Sequence, residues 1–261
     1  MCDAVQALLP FPPGCRVTRL VGREKRFTAV TVDPDTGAEV RAHTNNTGSM
    51  LGLLRPGAAA LLSPAANPDR VLKWTLEALA LPGGHRGRHP AWVGVNTLTP
   101  NRLLAAAWRA GLLPETRAYA QMTPEAKTGA SRLDARFDDA QGGGLPTLFV
   151  ECKNVTLVED DQAQFPDAAS ERGRKHLDEL TRLVRQGCRA ALFFLVQRPD
   201  GQCFAPAETV DPDYAAGLAT ALHAGVEAWV WRARVTPAGI ALAARLPLAP
   251  AWAACERPRS A

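Results

Sequence analysis

The sequence lacks the features that mark membrane and secreted proteins. No apolar run approaches the roughly 18 residues that a membrane span needs, so no transmembrane helix is expected. Residues 1–16 contain no basic segment and only a short apolar stretch, which argues against a signal peptide and predicts a cytoplasmic protein. The six cysteines are scattered without a C-x-x-C pair, which predicts reduced thiols rather than a zinc site or a disulfide framework.

Signatures of several enzyme classes are also missing. There is no G-x-x-x-x-G-K-[ST] loop, so ATP use is not implied, and no G-x-S-x-G elbow for a Ser-His-Asp triad. Aromatic residues make up only 6% of the chain, which leaves few to stack against sugars. His85 and His89 are four apart, but the glycines and proline around them oppose a helix, so a metal site on this pair is disfavoured.

Positive charge is present in clusters, although the excess of 30 basic over 26 acidic residues is small. Each phosphate that such a cluster neutralises releases counterions, so the clusters favour a polyanion such as DNA. A solvated charged face explains either cluster equally well when it is taken alone. The predicted DNA contacts are Arg16, Arg19, Arg23, Lys25 and Arg26 in the first cluster, and Arg172, Arg174 and Lys175 in the second.

The first third of the chain predicts short β-strands. Apolar and β-branched residues alternate with polar ones, and turns are indicated at 33–37 and 56–57. The predicted strands are 15–21, 27–32, 39–43, 58–62 and 71–79. Five short strands indicate a small closed barrel over residues 1–84, for which an OB-like barrel and an SH3-like barrel are both solutions.

Residues 82–90 are rich in glycine and proline and predict a loop at a domain junction. Beyond this loop, helical and strand patterns alternate. Predicted strands are 92–95, 131–137, 146–155, 190–196 and 226–235, and predicted helices are 100–111, 170–186 and 211–224. This order predicts a second domain over 85–261, with a mixed sheet flanked by helices and an overall α/β (α+β) class.

The chemically informative residues are Asp134, Glu151 and Lys153. Glu151 and Lys153 follow the apolar run 148–150, and because they are two apart in a strand they share one face. Cys152 points to the opposite face. A glycine-rich hairpin separates Asp134 from this strand and can bring its carboxylate beside the other two side chains.

Each of these residue types suits a metal-dependent phosphodiesterase. The carboxylates of Asp134 and Glu151 are hard oxygen ligands for Mg²⁺ or Mn²⁺, and the backbone carbonyl of Cys152 is a further possible ligand. The metal would polarise a phosphoryl oxygen and lower the pKa of a bound water. Lys153 would position that water and stabilise the negative charge that develops on phosphorus.

Two more residues extend the candidate catalytic set. Glu125 precedes Asp134 and is a further carboxylate. Gln197 ends a predicted strand, from which it can orient substrate or water. Asn101 and Arg102, at the start of the helix predicted at 100–111, are further candidates for lining the same cleft.

Spacing alone leaves other interpretations open. A buried ion pair between an acid and Lys153 explains the same residues equally well. Cys152 as a nucleophile lacks an adjacent base and points away from the other groups. A glycosidase pair formed by Asp134 and Glu151 leaves Lys153 without a role.

With these residues in view, the chain resembles the sugar fermentation stimulation protein A (SfsA) family. The resemblance runs from about residue 9 to 235 and includes several motifs in order. The matching stretches are HTNNTG at 43–48, NTLTPNRL at 96–103, SRLD at 131–134, ECKNVTLVE at 151–159, FPDA at 165–168, ERGRKH at 171–176 and VQRP at 196–199.

The resemblance implies an N-terminal OB-fold and a C-terminal core similar to the PD-(D/E)xK nucleases. It also implies DNA binding without marked sequence preference and a link to the regulation of sugar (maltose) metabolism. Asp134, Glu151 and Lys153 match the nuclease triad, and Glu125 falls where the family has an acid before a lysine. Cys152 replaces the usual valine, a tolerable exchange for a side chain that faces the core.

Three functions are therefore compared. The intact triad favours a Mg²⁺- or Mn²⁺-dependent deoxyribonuclease over a non-catalytic, sequence-nonspecific DNA-binding regulator built on a nuclease scaffold. A carbohydrate-related enzyme or sensor is suggested by the family's name alone. A monomer and a homodimer are both compatible with the sequence.

Overall fold

The computed structural model describes residues 7–81, 91–129, 131–139 and 144–255. The pair His85 and His89, the predicted domain boundary and most of the predicted glycine turn lie outside the described residues. Among the helices within these ranges, none is long and apolar enough to cross a membrane.

The N-terminal part of the chain forms a closed barrel. The barrel strands are β2 (Arg16–Glu24), β3 (Thr28–Val32), β4 (Glu39–His43), β5 (Ala59–Pro64) and β6 (Trp74–Leu81). Two short strands flank them in the chain, β1 (Leu9–Pro10) and β7 (Ala91–Gly94). The order β4-β3-β2-β5-β6 closes because β4 also pairs with β6, in parallel, whereas the other barrel pairs are antiparallel. This closed five-stranded barrel confirms the predicted OB-like barrel.

Two short strands cross the division that the sequence suggests. β7 pairs with β6, from Ala78–Gly94 to Leu81–Ala91, so it extends the barrel sheet rather than the sheet of the second domain. β1 pairs with β16 (Gly239–Arg245) near the C-terminus. A glycine- and proline-rich loop marks an interruption in the chain, but strand pairing decides to which sheet its neighbours belong.

The second domain is built on a seven-stranded mixed sheet. Its further strands are β8 (Gln121–Thr128), β9 (Ser131–Asp138), β10 (Leu148–Val155), β13 (Arg189–Val196) and β15 (Glu227–Thr236). The order is β1-β16-β15-β13-β10-β9-β8, with β10, β13 and β15 parallel and the other pairs antiparallel. A smaller sheet contains β11 (Leu157–Glu159), β12 (Gln162–Phe165) and β14 (Cys203–Pro206).

Helices cover both faces of the large sheet, which confirms the predicted architecture. They are α1 (Thr99–Arg109), α2 (Glu171–Arg185), α3 (Pro212–Ala224) and the short α4 (Pro250–Ala253). One core contains Leu103 and Leu104 of α1, together with Val150 and Cys152 of β10. The other core packs α2 and α3 against the opposite face of β10 and β13.

The two long helices of the second face begin at side-chain caps. Ser170 Oγ accepts a hydrogen bond from Gly173 N at 3.0 Å at the start of α2. Asp211 Oδ1 accepts one from Tyr214 N at 2.9 Å at the start of α3. These caps satisfy amides that the first helical turn cannot pair.

Strand β8 was not predicted because its sequence does not alternate. It lies at the edge of the sheet and contains Pro124, which cannot donate to a ladder. Glu125 has a φ of 51°, which interrupts the pleat. β12, β14 and β16 also escaped prediction, since each is short or lies near a turn.

The barrel and the second domain meet where β7 contacts the end of β13. Gly94 N donates to the backbone oxygen of Gln197 at 3.2 Å. A Cβ atom on Gly94 would lie only 1.9 Å from Gln197 Oε1, and both residues are buried. Only glycine fits this contact without a shift of the glutamine.

Gly94→Ala should therefore destabilise the protein. Overpacking of a filled interior costs about 1–3 kcal/mol. Thermal unfolding measures it, with a drop in Tm of about 2–4 °C per kcal/mol for a chain of this size. Gly22→Ala in β2 is the matched control, because a Cβ there meets nothing within 4 Å. Equal Tm values for the two variants would contradict the close packing at Gly94.

Candidate active site

A cleft of about 900 Å³ lies between the barrel and the second domain. The ends of β9 and β10 form its floor. The starts of α1 and α2 form its sides, with the segment 165–170 before α2 and the barrel loop 45–49 completing it. The three residues that carry the predicted chemistry, Asp134, Glu151 and Lys153, all line this cleft.

Asp134 takes its place at the point where β9 and β10 separate. Backbone pairing runs from Leu148–Phe137 to Val150–Ala135 and goes no further. Beyond it, Asp134 Oδ2 accepts the Cys152 amide at 2.8 Å, so the side chain replaces a ladder partner. Asp134 thus lies beside β10, where a hairpin between the two strands was expected to bring it.

The electrostatic environment of Asp134 resembles that of a cation ligand. Its Oδ1 accepts a hydrogen bond from Asn101 Nδ2 at 2.6 Å. Burial raises the pKa of Asp134, and the nearby carboxylate of Glu151 raises it further. A cation placed between the two carboxylates would relieve both effects.

Glu151, Lys153 and His176 form a buried cluster on the opposite face of β10 from Cys152. Lys153 Nζ lies 2.9 Å from Glu151 Oε1 and 3.1 Å from His176 Nδ1. His176 Nδ1 also contacts Glu151 Oε1. All three residues are buried, so these contacts compensate for charge that water does not reach.

This cluster keeps Glu151 ionised. Burial raises the pKa of its carboxyl group, but the charge of Lys153 and the hydrogen bond to His176 lower it more, to about 2. Burial likewise raises the pKa of the Cys152 thiol well above its usual range. Cys152 therefore stays protonated, which disfavours it as a nucleophile.

The second oxygen of Glu151, Oε2, and Nδ2 of Asn154 are two buried atoms of the cleft residues that have no hydrogen-bonding partner among the described residues. Leaving such a group unpaired is costly. Because the N–H and C=O of a strand residue point to the same edge, the Cys152 carbonyl faces the side of Asp134. Asp134, Glu151 and Cys152 all line the cleft, so two carboxylates and one backbone carbonyl border the same space.

These oxygen donors fit a six-coordinate hard cation that keeps some of its waters better than a metal ion bound by protein side chains alone. The described part of the chain contains no group of three or more His, Cys, Asp or Glu side chains placed to hold a metal. Mg²⁺ is commonly bound by one or two carboxylates and keeps several of its waters. The residues present therefore fit Mg²⁺ or Mn²⁺ and do not fit a tetrahedral zinc site.

Gln197 does not line the cleft, and its predicted role in orienting substrate is not supported. It is fully buried against Gly94, and its backbone N donates to Val155 O at 3.0 Å. Its Nε2 donates to Asn154 Oδ1. Asn154 lines the cleft, so Gln197 contacts a cleft residue but not the cleft itself.

Glu125 is also outside the cleft lining. Its left-handed backbone directs the side chain towards solvent, where it pairs with the exposed Arg132 at 3.0 Å. Its position in the sequence suggested that Glu125 lies near Asp134. The local backbone instead directs its side chain towards solvent.

The structure divides the first basic cluster. Arg23 and Arg26 line the cleft. Arg23 Nη1 donates to the backbone oxygens of Asn46 at 3.2 Å and Gly48 at 2.9 Å, so it also supports the barrel loop.

The other three residues of the first basic cluster do not line the cleft. Arg16 lies over the Trp74 ring at 4.7 Å, and Arg19 donates to the backbone oxygen of Gly57 at 3.5 Å. Lys25 is exposed in the turn between β2 and β3.

The second basic cluster is divided in the same way. Arg172 lines the cleft at the start of α2. Arg174 pairs with the buried Asp211 at 2.9 Å, and Lys175 pairs with Glu171 at 2.7 Å. Arg174 and Lys175 therefore have partners within the protein.

Sequence reasoning missed His176 as a member of the site. A signal for it exists, because His176 falls on the buried stripe of α2 with Gly173, Leu177 and Leu180. A histidine on a helix stripe that packs against a strand with two buried charges is expected to contact those charges, because its ring can hydrogen-bond to them. Asp167, in the segment before α2, gave no comparable signal.

Comparison with known proteins identifies the family. Residues 21–95 match the model of the SfsA N-terminal OB domain, and residues 98–239 match that of the sugar fermentation stimulation protein RE domain. The chain belongs to the SfsA family. A sugar fermentation stimulation protein homolog of Maridesulfovibrio salexigens is 52% identical over 94% of this chain and 98% of the homolog.

Other SfsA proteins are similar over nearly the same length. A homolog from Syntrophobacter fumaroxidans is 52% identical over 92% of this chain and 87% of its own. The structure of Pyrococcus furiosus SfsA in complex with Ca²⁺ superposes with a TM-score of 0.82 at 26% identity, covering 94% of this chain and all of that one.

The buried carboxylate of Glu151 should make stability depend on acid. Its pKa is lower in the folded chain than the ordinary 4.5, so the stabilisation is present above that pH and is lost as the pH falls towards 2. In Glu151→Gln, the free energy of unfolding should decline less steeply through this range. Urea denaturation in EDTA at a series of pH values measures it.

The exposed Glu39 supplies the control for this experiment. Glu39→Gln should retain the acid dependence of the wild type. If the two variants lose stability with the same pH dependence, the carboxylate of Glu151 is not stabilised by Lys153 and His176.

Proposed function

We propose that this protein is a Mg²⁺- or Mn²⁺-dependent nuclease that binds DNA in the interdomain cleft. The observation that carries the proposal is the buried Oε2 of Glu151, which has no partner among the described residues and lies on the side chain next to Asp134. Its other oxygen is held by Lys153 and His176. A carboxylate fixed at one oxygen and open at the other is suited to bind a cation.

Asp134, Glu151 and the Cys152 carbonyl would hold the metal. When bound, the metal polarises a phosphoryl oxygen and acidifies a water molecule. The Ca²⁺ complex of the Pyrococcus furiosus relative supports a hard cation in this family, since Ca²⁺ and Mg²⁺ both take oxygen ligands.

The protein's own side chains account for the rest of the chemistry. Lys153 brings a positive charge to the cleft, where it offsets the negative charge that develops on a phosphodiester during hydrolysis. His176 Nδ1 lies against both Glu151 Oε1 and Lys153 Nζ, and Asn101 Nδ2 donates to the Asp134 carboxylate. Because these supporting contacts are already formed, little reorganisation is needed when substrate binds.

The cleft also has the charge that DNA requires. Arg23, Arg26 and Arg172 line it on the barrel side and on the α2 side. Guanidinium groups on both sides of a cleft are suited to the phosphates of one strand. Affinity from such contacts is largely independent of sequence and falls with salt.

A second candidate is a non-catalytic DNA-binding regulator, which would fit the family's link to sugar fermentation. The direct ion pair between Glu151 and Lys153 favours it, because the pair explains why both charges are tolerated in the interior. The two candidates differ in whether DNA is cleaved. Only the first predicts cleavage, and that cleavage would require Glu151 and Lys153.

Cleavage of DNA should depend on the three cleft residues. Lys153→Ala, Glu151→Gln and Asp134→Asn should each lower the rate of phosphodiester hydrolysis at least about a hundredfold, because Lys153 offsets the charge that develops on the phosphodiester and the two carboxylates would hold the metal. Labelled oligonucleotides with Mg²⁺ or Mn²⁺ measure the rate.

Glu125→Gln is the matched control, because it neutralises an exposed acid that pairs with Arg132 outside the cleft. It should cleave as the wild type does. Equal cleavage by the wild type and all three cleft variants would indicate a contaminating nuclease. Binding without any cleavage that depends on the triad would favour the regulator.

DNA affinity should depend on the cleft arginines and on salt. Arg172→Ala should weaken binding and reduce the slope of log K against log salt by about 0.9 for each phosphate that is no longer neutralised. Fluorescence anisotropy with EDTA present measures both. Lys175→Ala is the control, because Lys175 is exposed and pairs with Glu171. A larger effect from Lys175 than from Arg172 would place the DNA outside the cleft.

A further inference from the structure

The barrel loop over the cleft is tied to the start of the second domain. Thr97 N donates to Asn45 Oδ1 at 3.1 Å, and Thr97 Oγ1 donates to Asn45 O at 3.3 Å. Asn45 Nδ2 donates to Asn96 Oδ1 at 2.8 Å. One end of the loop is therefore fixed next to α1.

The other end of the same loop is tied to the segment before α2. Ser49 Oγ donates to the backbone oxygen of Asp167 at 2.6 Å, and Met50 N donates to Asp167 Oδ2 at 2.9 Å. A Cβ on Gly48 would lie 2.4 Å from Asp167 Oδ1, so this approach needs glycine. The loop thus spans the cleft from the α1 side to the α2 side.

These ties and the floor of the site form a closed ring. Asn101 at the start of α1 donates to Asp134, and Asp134 accepts from the Cys152 amide. β10 then continues along the chain to the segment that carries Asp167. The ring members Asn45, Thr97, Asn101, Asp134, Cys152, Asp167 and Ser49 all line the cleft that holds the candidate metal ligands.

The size of the cleft beneath the barrel loop limits what can reach Glu151 and Asp134. About 900 Å³ falls in the range of pockets that enclose one small molecule, which corresponds to a few nucleotides. Phe165 lines the same space; its ring packs against the core beside Tyr214 at 5.3 Å, and its partly exposed side is the part that can contact an unpaired base. A base that is paired in a duplex cannot make that contact.

We infer that the ring admits an unpaired DNA strand to the carboxylates and excludes an intact duplex. The inference rests on the proposed nuclease function and names its substrate class. The chain supplies both elements that such a strand needs, arginines for its phosphates and an aromatic ring for a base. A duplex would have to open before its backbone entered.

The test compares cleavage of one sequence as a linear single strand, as a blunt duplex, and as a duplex with a single-stranded tail. The unpaired strand and the tail should be cut faster than the blunt duplex, by about tenfold for each base-pair step that must open. A blunt duplex that is cut as fast as the single strand overturns the inference.

Opening the ring should relax this preference. In Ser49→Ala/Asp167→Ala, the loop loses its ties to the α2 side, and the ratio of single-strand to duplex cleavage should fall towards one. Glu171→Ala is the control, because it removes an acid at the same helix end that pairs with Lys175 instead of the barrel loop. An unchanged ratio in the double variant contradicts the gating by the ring. If that variant does not fold, Ser49→Ala alone is used in its place.

Failure of the nuclease proposal remains distinguishable from failure of this inference. If no substrate is cut in a way that depends on Lys153, the proposed hydrolysis is wrong. The affinities for single-stranded and duplex DNA, measured in EDTA, then test whether the cleft admits only an unpaired strand. Arg172→Ala should weaken binding of the single strand and leave binding of the duplex unchanged. An equal loss for both forms overturns the inference.

Discussion

Glu151 and Lys153 lie in a strand whose other buried residues are apolar. The burial of their charges limits which side chains can pack against this face of the strand. An unpaired charge in such a position would cost several kcal/mol. The cost is offset by the contact between the two residues and by His176, which α2 delivers to the same face. One oxygen of Glu151 has no partner among the described residues, and it is the atom to which the proposed metal ion would bind.

The rest of the cleft follows from that strand end. β9 stops pairing with β10 after Ala135, which frees the Cys152 amide for the carboxylate of Asp134. The barrel then approaches the opened edge of the sheet, where Gly94 fits against Gln197. The barrel is thereby placed so that its loop can reach Asp167 on the far side.

Local patterns in the sequence predicted the parts of the site that lie along single strands. Alternation placed Glu151 and Lys153 on one face, and the hairpin placed Asp134 beside them. Gln197 and Glu125 lie outside the cleft lining, because their directions depend on a neighbouring glycine and on a left-handed backbone, which no periodicity reveals. His176, Asp167 and the closing pair of the barrel depend on contacts between segments far apart in the chain.

Anomalous diffraction from a crystal grown with saturating Mn²⁺ tests the central claim most directly, because it locates the metal independently of any activity. The structure predicts a peak in contact with Asp134 and with Oε2 of Glu151, with Lys153 and His176 still on Oε1. A well-ordered site without Mn²⁺ between the two carboxylates would contradict the account, and would leave Glu151 and Lys153 as a buried ion pair.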